Sequence, residues 1–192
     1  EIKDKNNKIR QRLLKIRAKK VILATGSLER PLIFDNNDRP GIMLSSAVKK
    51  YSEFYGVACG SKNVFFTNND SAYESALSLH NKGINVEAII DIRDQSESKI
   101  VKKVIEAGIK IYWSHSIVDT NGYKRLNSIS IMKLSNDGTS VTGNKISISC
   151  NCLGVAGGWT PVVHLYTQSG SKLKFDEEKQ IFLPNKNTSE QI

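Results

Sequence analysis

The feature that most constrains this chain is a rhythm of short apolar runs and helical segments between residues 62 and 114. Val64-Phe65-Phe66 is a strand, Thr67 to Asp70 a turn, and Ser71 to Asn81 a helix stopped by Gly83. Val86 to Ile92 (VEAIIDI) is the next strand. Gln95 to Ala107 is a helix that opens at Ser96 or Ser98 and ends at Gly108, and Lys110 to Ser114 (KIYWS) is the third strand. Strand, helix, strand, helix, strand with short connections predicts a parallel sheet with helical crossovers.

The flanks have a different texture. From His115 onward, Ser116 to Asp119, Leu126 to Leu134 and Lys145 to Cys152 alternate or are β-branched. Asn121-Gly122 and Asn136-Asp137-Gly138 separate them, and both are hairpin signals. A β-meander is therefore expected, ending in a last strand, Leu153 to Gly158, that runs into glycines. Upstream, Lys8 to Arg17 (KIRQRLLKIR) fits a hairpin or a short helix. Val21-Ile22-Leu23-Ala24 has the pattern of a buried parallel strand ending at Thr25-Gly26. Leu28 to Pro40, with two prolines and four Asp or Asn residues in a row, reads as a loop. Ser45 to Tyr55 reads as a helix capped by Ser45 or Ser46 and ended by Gly56. The predicted class is α/β, a Rossmann-like βαβαβ parallel sheet with a β-meander.

The net charge of +9 suggests nucleic acid until it is located. Nine basic and two acidic residues fall in the first twenty, leaving 19 basic and 17 acidic side chains in the other 172. The body is nearly neutral, and the basic run holds no aromatic residue to stack on a base, so nucleic acid is not expected. The run reads as a solvated, strand-rich edge blocked by lysines, with a phosphate-bearing partner as the alternative. No apolar run approaches 18 residues, so no membrane span is expected. Three cysteines do not make a disulfide framework, and they point to a reducing compartment, the cytoplasm.

A strand, a tight turn, a helix, and an acid at the end of the next strand make the geometry of a dinucleotide site. Glycines let the backbone approach the pyrophosphate there, and the helix N-terminus donates to it. Here the turn reads Thr67-Asn68-Asn69-Asp70-Ser71-Ala72 where G-x-G-x-x-G would be needed. Ala72 keeps the small residue of the pattern, and Asp91 stands near the spacing of the ribose-binding acid. The side chains of Asn68 and Asn69 would fill the pyrophosphate space, and Asp70 would place a carboxylate against it. The expectation is a retained scaffold whose site has closed. The other candidate is Ala24-Thr25-Gly26, small residues at a strand's carboxyl end, where open α/β folds bind ligands.

VILATGSLERPLIF resembles the ATG segment of the two-dinucleotide-domain flavoproteins, the superfamily with the glutathione-reductase fold. VAGGWTP (Val155 to Pro161) is similar to their glycine-rich strand end, and Leu165 to Pro184 to their return segment. ATGSLERPLIFDNNDRPGIML, VFFTNNDSAYESAL and VAGGWTPVVHLYTQSGSKLKFD together resemble, more closely, the alpha-subunit family of heterotetrameric sarcosine oxidases. TNNDSAY, an unusual replacement for a glycine turn, is the most telling piece.

The resemblance implies an internal piece of a much longer subunit, as does an opening Glu in place of Met. It implies a first dinucleotide-domain piece at 1–34, a connecting loop and helix at 35–61, a glycine-poor second domain at 62–158 and a return segment at 159–192. It implies NAD contact at Ala24, Thr25 and Gly26. Arg30 reaches a phosphate in that reading, and is otherwise a solvated loop charge. Sarcosine would be demethylated oxidatively on a flavin-bearing beta subunit with FAD. FMN would lie at the alpha–beta interface, tetrahydrofolate on a domain outside this chain, and smaller subunits would complete the hetero-oligomer. Two alternatives stay open: a subunit of an amine, opine or cyanide-forming glycine dehydrogenase, or a protein-binding scaffold without nucleotide.

His80, His115 and His164 share no ligand spacing and read as structural or surface residues. Cys150 and Cys152, two apart in one predicted strand, would point to one face as small core residues. Gly157, Gly158 and Pro161 read as a tight turn. Tyr51, Phe54 and Tyr55 form a helical aromatic face, either core or subunit contact. No residue reads as a catalytic acid, base or nucleophile, and no metal site is expected.

Overall fold

The structure, a computed structural model, describes residues 1–185. The end of the expected return segment, residues 186–192, lies outside the described residues. The chain opens with β1 (Ile2–Lys3) and β2 (Ile9–Gln11), which pair as an antiparallel hairpin. Next come β3 (Ser27–Glu29), β4 (Ile42–Leu44) and α1 (Ser45–Phe54). The alternating part is β5 (Asn63–Thr67), α2 (Ser71–Asn81), β6 (Val86–Asp91), α3 (Lys99–Glu106) and β7 (Ile111–Trp113). The meander is β8 (His115–Asn121), β9 (Ser128–Leu134) and β10 (Val141–Ser149). After it come β11 (Cys152–Ala156), β12 (Trp159–Pro161), α4 (His164–Gln168), β13 (Leu173–Asp176) and β14 (Ile181–Pro184).

Contacts divide the chain into two compact units, Glu1–Gly26 with Val162–Ile192, and Ser27–Pro161. The second unit is built on a five-stranded sheet in the order β4-β11-β5-β6-β7, with every neighbouring pair parallel. Successive side chains of β5 leave on opposite faces, as a strand requires. Phe65 enters a core with Val48, Tyr73, Leu79, Val101 and Val104 from the three helices. Val64 and Phe66 enter a second core with Leu126, Ile129 and Ile131 beneath the meander. The sheet is therefore covered on both sides, which is why β5 and β11 are buried along their whole length. The three-stranded sheet that covers one face runs β10-β9-β8, antiparallel throughout. The first unit carries the β1–β2 hairpin, α4 and the antiparallel pair β13–β14.

Several expectations need correction. Residues 21–24 form no strand, and Val21 and Ile22 are 75% and 90% exposed. A strand needs a neighbour for its backbone groups, and no described residue pairs with this run. Leu28 and Glu29, expected to begin a loop, belong with Ser27 to a strand because Trp159–Pro161 pairs with it. Helix α1 starts one residue after Leu44 without a side-chain cap from Ser45 or Ser46. The free Ser46 N–H instead donates to the Glu29 carboxylate at 2.8 Å, from seventeen residues upstream. An acid there also suits the positive end of the helix dipole. Helix α3 takes Ser98, one of its two expected caps, whose hydroxyl accepts from Val101 N–H, so the helix runs from Lys99 rather than Gln95.

Cys150 and Cys152 do not share a face. The strand predicted through both breaks at Asn151: Cys150 packs beneath the meander, while Cys152 opens β11 and packs under the helices. Asn151 anchors the break, its side-chain oxygen accepting from Lys62 N–H at 3.0 Å and its amide donating to Ser61 at 2.9 Å. The Asn121-Gly122 connection is also longer than a two-residue turn: Asn127 N–H donates back to Asn121 C=O, and Ser128 pairs with Asn121.

Candidate functional site

Two places can be compared, the turn after β5 and the Ala24-Thr25-Gly26 segment. At the first, the carboxyl ends of β5, β6 and β11 meet the N-terminus of α2. In a nucleotide site this crevice is left open by glycines. Here Asn69 fills it. Its amide donates to the Ala156 carbonyl at 3.1 Å and to Asn68 Oδ1 at 2.9 Å. Its Oδ1 accepts from the Ser71 N–H at 3.0 Å and the Ser71 hydroxyl at 2.6 Å. The Thr67 hydroxyl lies 3.1 Å from the same Ala156 carbonyl and accepts from Asn69 N–H at 3.0 Å. The Asn69 and Ser71 N–H groups are thus satisfied by the turn's own side chains.

The acid at the end of β6 is likewise occupied. Asp91 is fully buried and accepts from the Arg93 backbone N–H at 2.9 Å, from Arg93 Nε at 3.1 Å and from Arg93 Nη2 at 2.7 Å. The Tyr73 hydroxyl donates to Asp91 Oδ2, the oxygen that Arg93 Nη2 also contacts, at 2.8 Å. Arg93 Nη2 also pairs with Asp70 at 2.8 Å. Burial, and then the Asp91 charge, push the Tyr73 hydroxyl well above the usual phenol range. Burial by itself would lower the Arg93 value, but hydrogen bonds to Asp91 and Asp70 outweigh it and raise it. Partial burial works to raise the Asp70 carboxyl as well, yet hydrogen bonds from Ser98 and Arg93 and the guanidinium charge hold it below the ordinary range. A dinucleotide does not fit these residues: the ribose acid, the phosphate space and the helix start are all committed within the chain.

Arg93 and Tyr73 were missed by sequence reasoning, which weighed Asp91 without its partners. A basic residue two positions past a candidate ribose acid was the available signal. Trp113 stacks on Tyr73 with ring centroids 6.1 Å apart, closing the same corner.

The Ala24-Thr25-Gly26 segment is different. All three residues are exposed and lie outside any helix or strand. The Thr25 hydroxyl donates to the Val162 carbonyl at 2.6 Å, and Val162 N–H donates to the Gly26 carbonyl at 3.0 Å, so the segment is tied in place. Gly26 has φ +67°, and a Cβ built there would meet nothing within 4 Å. Small, exposed residues with open backbone are what close approach of a flat or phosphate-bearing group requires. This segment is left open where the Asn69 turn is filled.

Arg30 lies in the other compact unit. Its backbone is clasped by the glycine pair: Arg30 N–H donates to the Gly158 carbonyl at 2.8 Å, and Gly157 N–H donates to the Arg30 carbonyl at 2.6 Å. A Cβ on Gly158 would stand 3.3 Å from the Arg30 guanidinium, so that glycine makes room for the side chain. His80 is exposed, the His115 ring contacts the Trp113 carbonyl at 2.6 Å, and His164 begins α4. Among the described residues no group of three or more His, Cys, Asp or Glu could hold a metal ion. Burial pushes the Cys150 and Cys152 thiols up to about 12, which removes them from nucleophilic chemistry near neutral pH.

Residues 1–192 match the family described as pyridine nucleotide-disulphide oxidoreductase. The sarcosine oxidase subunit alpha of Corynebacterium sp. (strain P-1) is 40% identical over 178 residues, covering 92% of this chain and 18% of that protein. The subunit of the same name from Rhizobium meliloti (strain 1021) is 35% identical over 179 residues, covering 90% and 16%. The chain therefore spans less than a fifth of these relatives' length. T. acidophilum thioredoxin reductase superposes with a TM-score of 0.61 at 17% identity, covering 87% of this chain and 58% of that one. The L-proline dehydrogenase from P. horikoshii gives 0.53 at 20% identity, covering 88% and 26%. These two likenesses concern the fold.

Proposed function

The chain belongs to the pyridine nucleotide-disulphide oxidoreductase family, and from that premise we propose that it is part of the alpha subunit of a sarcosine oxidase-like complex. In this reading it houses NAD at Ala24, Thr25 and Gly26, with Arg30 reaching a phosphate, and it contacts a flavin-bearing beta subunit. The complex demethylates sarcosine to glycine, a CH–NH oxidation. NAD, FAD and FMN supply its redox chemistry, and tetrahydrofolate accepts the one-carbon unit on a domain outside this chain. Smaller subunits complete the hetero-oligomer, and a cytoplasmic location belongs to the same proposal. No described helix is long and apolar enough to cross a membrane.

The observation that carries the reading is the contrast between two sites in a chain 40% identical to a sarcosine oxidase alpha subunit. The second turn is filled by Asn69 and the Asp91–Arg93 pair, while the Gly26 backbone stands open. This chain's residues then bind and orient rather than react. The Thr25 hydroxyl fixes the segment through Val162, and the backbone at Gly26 admits the cofactor.

The test uses the intact subunit co-produced with its companion subunits. Sarcosine-dependent oxygen uptake with glycine formation is expected. NAD titration of Gly26→Val is expected to give at least tenfold weaker binding, because a branched side chain at φ +67° is strained and fills the approach. Intact complex that leaves sarcosine untouched would end the functional reading. NAD binding unaffected by Gly26→Val would end the site assignment alone.

A further inference from the structure

Asn121-Gly122 is the one Asn-Gly pair in the chain. Asn121 ends β8, and Gly122 opens the connection to β9. A larger residue does not fit at 122: its φ is +146°, and a Cβ there would collide with the Arg125 carbonyl. The fold therefore keeps a glycine directly behind this asparagine. Asn121 is exposed, and its side-chain amide makes no hydrogen bond among the described residues. Asp137-Gly138 offers a comparison, since it has related chemistry in the turn between β9 and β10. There the carboxylate accepts from the Ser135 hydroxyl and from the Thr139 N–H and hydroxyl. The Gly138 N–H donates to the Ser135 carbonyl at 2.9 Å, whereas no turn bond of that kind holds the Gly122 N–H.

We propose that Asn121 is a site of spontaneous covalent modification, at which the folded chain converts its own amide to aspartate and isoaspartate. The Gly122 nitrogen attacks Asn121 Cγ, so that an N–Cγ bond closes a succinimide ring while the Cγ–Nδ2 bond breaks. The leaving nitrogen carries off the Gly122 proton as ammonia. Water then opens the ring at either carbonyl, giving aspartate by one route and isoaspartate by the other. The attack needs a following residue with no Cβ in the way, which Gly122 supplies. It also needs the backbone to turn locally, and the last residue of a strand does so at little cost. The product alters a clasp. Arg39 donates to the Thr120 hydroxyl, the Thr120 carbonyl and the Gly122 carbonyl. Leu126 N–H donates to the Pro40 carbonyl at 2.8 Å, so this connection pins the loop that leads into β4. Isoaspartate inserts a methylene group into the backbone before Gly122 and draws its carbonyl away from the guanidinium. The exposed Lys124 and Arg125 then become easier for a protease to reach.

The experiment ages the full-length polypeptide in warm, mildly alkaline buffer and maps its peptides by mass spectrometry. Labelling by isoaspartyl methyltransferase separates isoaspartate from aspartate. Asn121 is expected to lose ammonia with a first-order time course, at a rate within about tenfold of that in urea, with isoaspartate in excess. Asp137 is expected to stay unchanged until urea frees its carboxylate and the Gly138 N–H. Asn121→Gln, whose extra methylene group disfavours ring closure, should abolish the labelling. Trypsin should cut the aged chain after Lys124 or Arg125 at least about threefold faster than the fresh chain. Asn121 that reacts more than about tenfold slower folded than in urea overturns the proposal, because the strand end then protects it. Labelling that persists in Asn121→Gln overturns it too, by placing the reaction elsewhere. Equal cleavage of aged and fresh chains refutes the loosening of the clasp.

Discussion

Replacing Arg93 with alanine tests whether a side chain has taken over the role a ligand plays in an open nucleotide site. Asp91 is fully buried, and the Arg93 guanidinium contacts it at 2.7 and 3.1 Å. Removing one partner of a buried ion pair typically costs 3–5 kcal/mol, because the other charge is left uncompensated. Asp91 would keep the Tyr73 hydroxyl at 2.8 Å and the residue-93 backbone N–H at 2.9 Å, so the low end applies, about 3 kcal/mol. With a urea dependence near 2 kcal/mol per M, the midpoint should fall by about 1.5 M. Trp113, stacked on Tyr73, reports the event by fluorescence. Asp91→Asn should suppress much of the loss in the double variant, because a neutral amide no longer needs the cation, giving a coupling of about 2 kcal/mol. A loss under about 1 kcal/mol, or strict additivity of the two substitutions, would refute the argument that Arg93 compensates a buried charge.

Three further outcomes are expected. The Asp137 carboxyl is pushed down to about 2 by hydrogen bonds from Ser135 and Thr139. Its contribution to stability is therefore complete above the ordinary carboxylate value and is lost as pH falls through about 2; carboxyl NMR titration should find that midpoint and see it rise in Thr139→Val. Thiol labelling near pH 8 should modify Cys59, which is only half-buried, and reach Cys150 and Cys152 only after denaturant is added. Gly154→Ala should destabilise by about 1–3 kcal/mol in urea denaturation, since its Cβ would stand 2.6 Å from the buried Phe65 ring, and Phe65→Leu should recover part of the loss.

The alternating core of the fold was legible in sequence because each of its signals is local. The runs at Val64, Val86 and Ile111 became β5, β6 and β7, and the glycines at 56, 83 and 108 end α1, α2 and α3 with φ between 65° and 75°. The α/β class followed from them. What was not legible depends on residues far apart in the chain. Ser27–Glu29 becomes a strand only because residues 159–161 arrive beside it. The same distance hid the Glu29 cap on α1. Residues 21–24 have the composition of a strand and no described partner, which shows that composition alone does not make one. At the site, TNND announced that the glycine turn was altered, and its side chains do fill the crevice. The Tyr73 contact to Asp91 could not be read, since it needs the strand end and α2 to be placed together, whereas Arg93, two residues past the acid, was a local signal.

The position of β11 bears on how this polypeptide emerges from the ribosome. The second strand of the parallel sheet is the last of the five to be synthesised, and it inserts between β4 and β5, both made long before it. At translation speeds of 5–20 residues per second, the roughly 90 residues separating β5 from β11 take about 5–20 s to appear. Until it appears, neither β4 nor β5 has the neighbour that joins them in the finished sheet. A pause in decoding after β10 would prolong that window, so chaperone demand should rise with slow codons there and fall once residue 156 clears the exit tunnel.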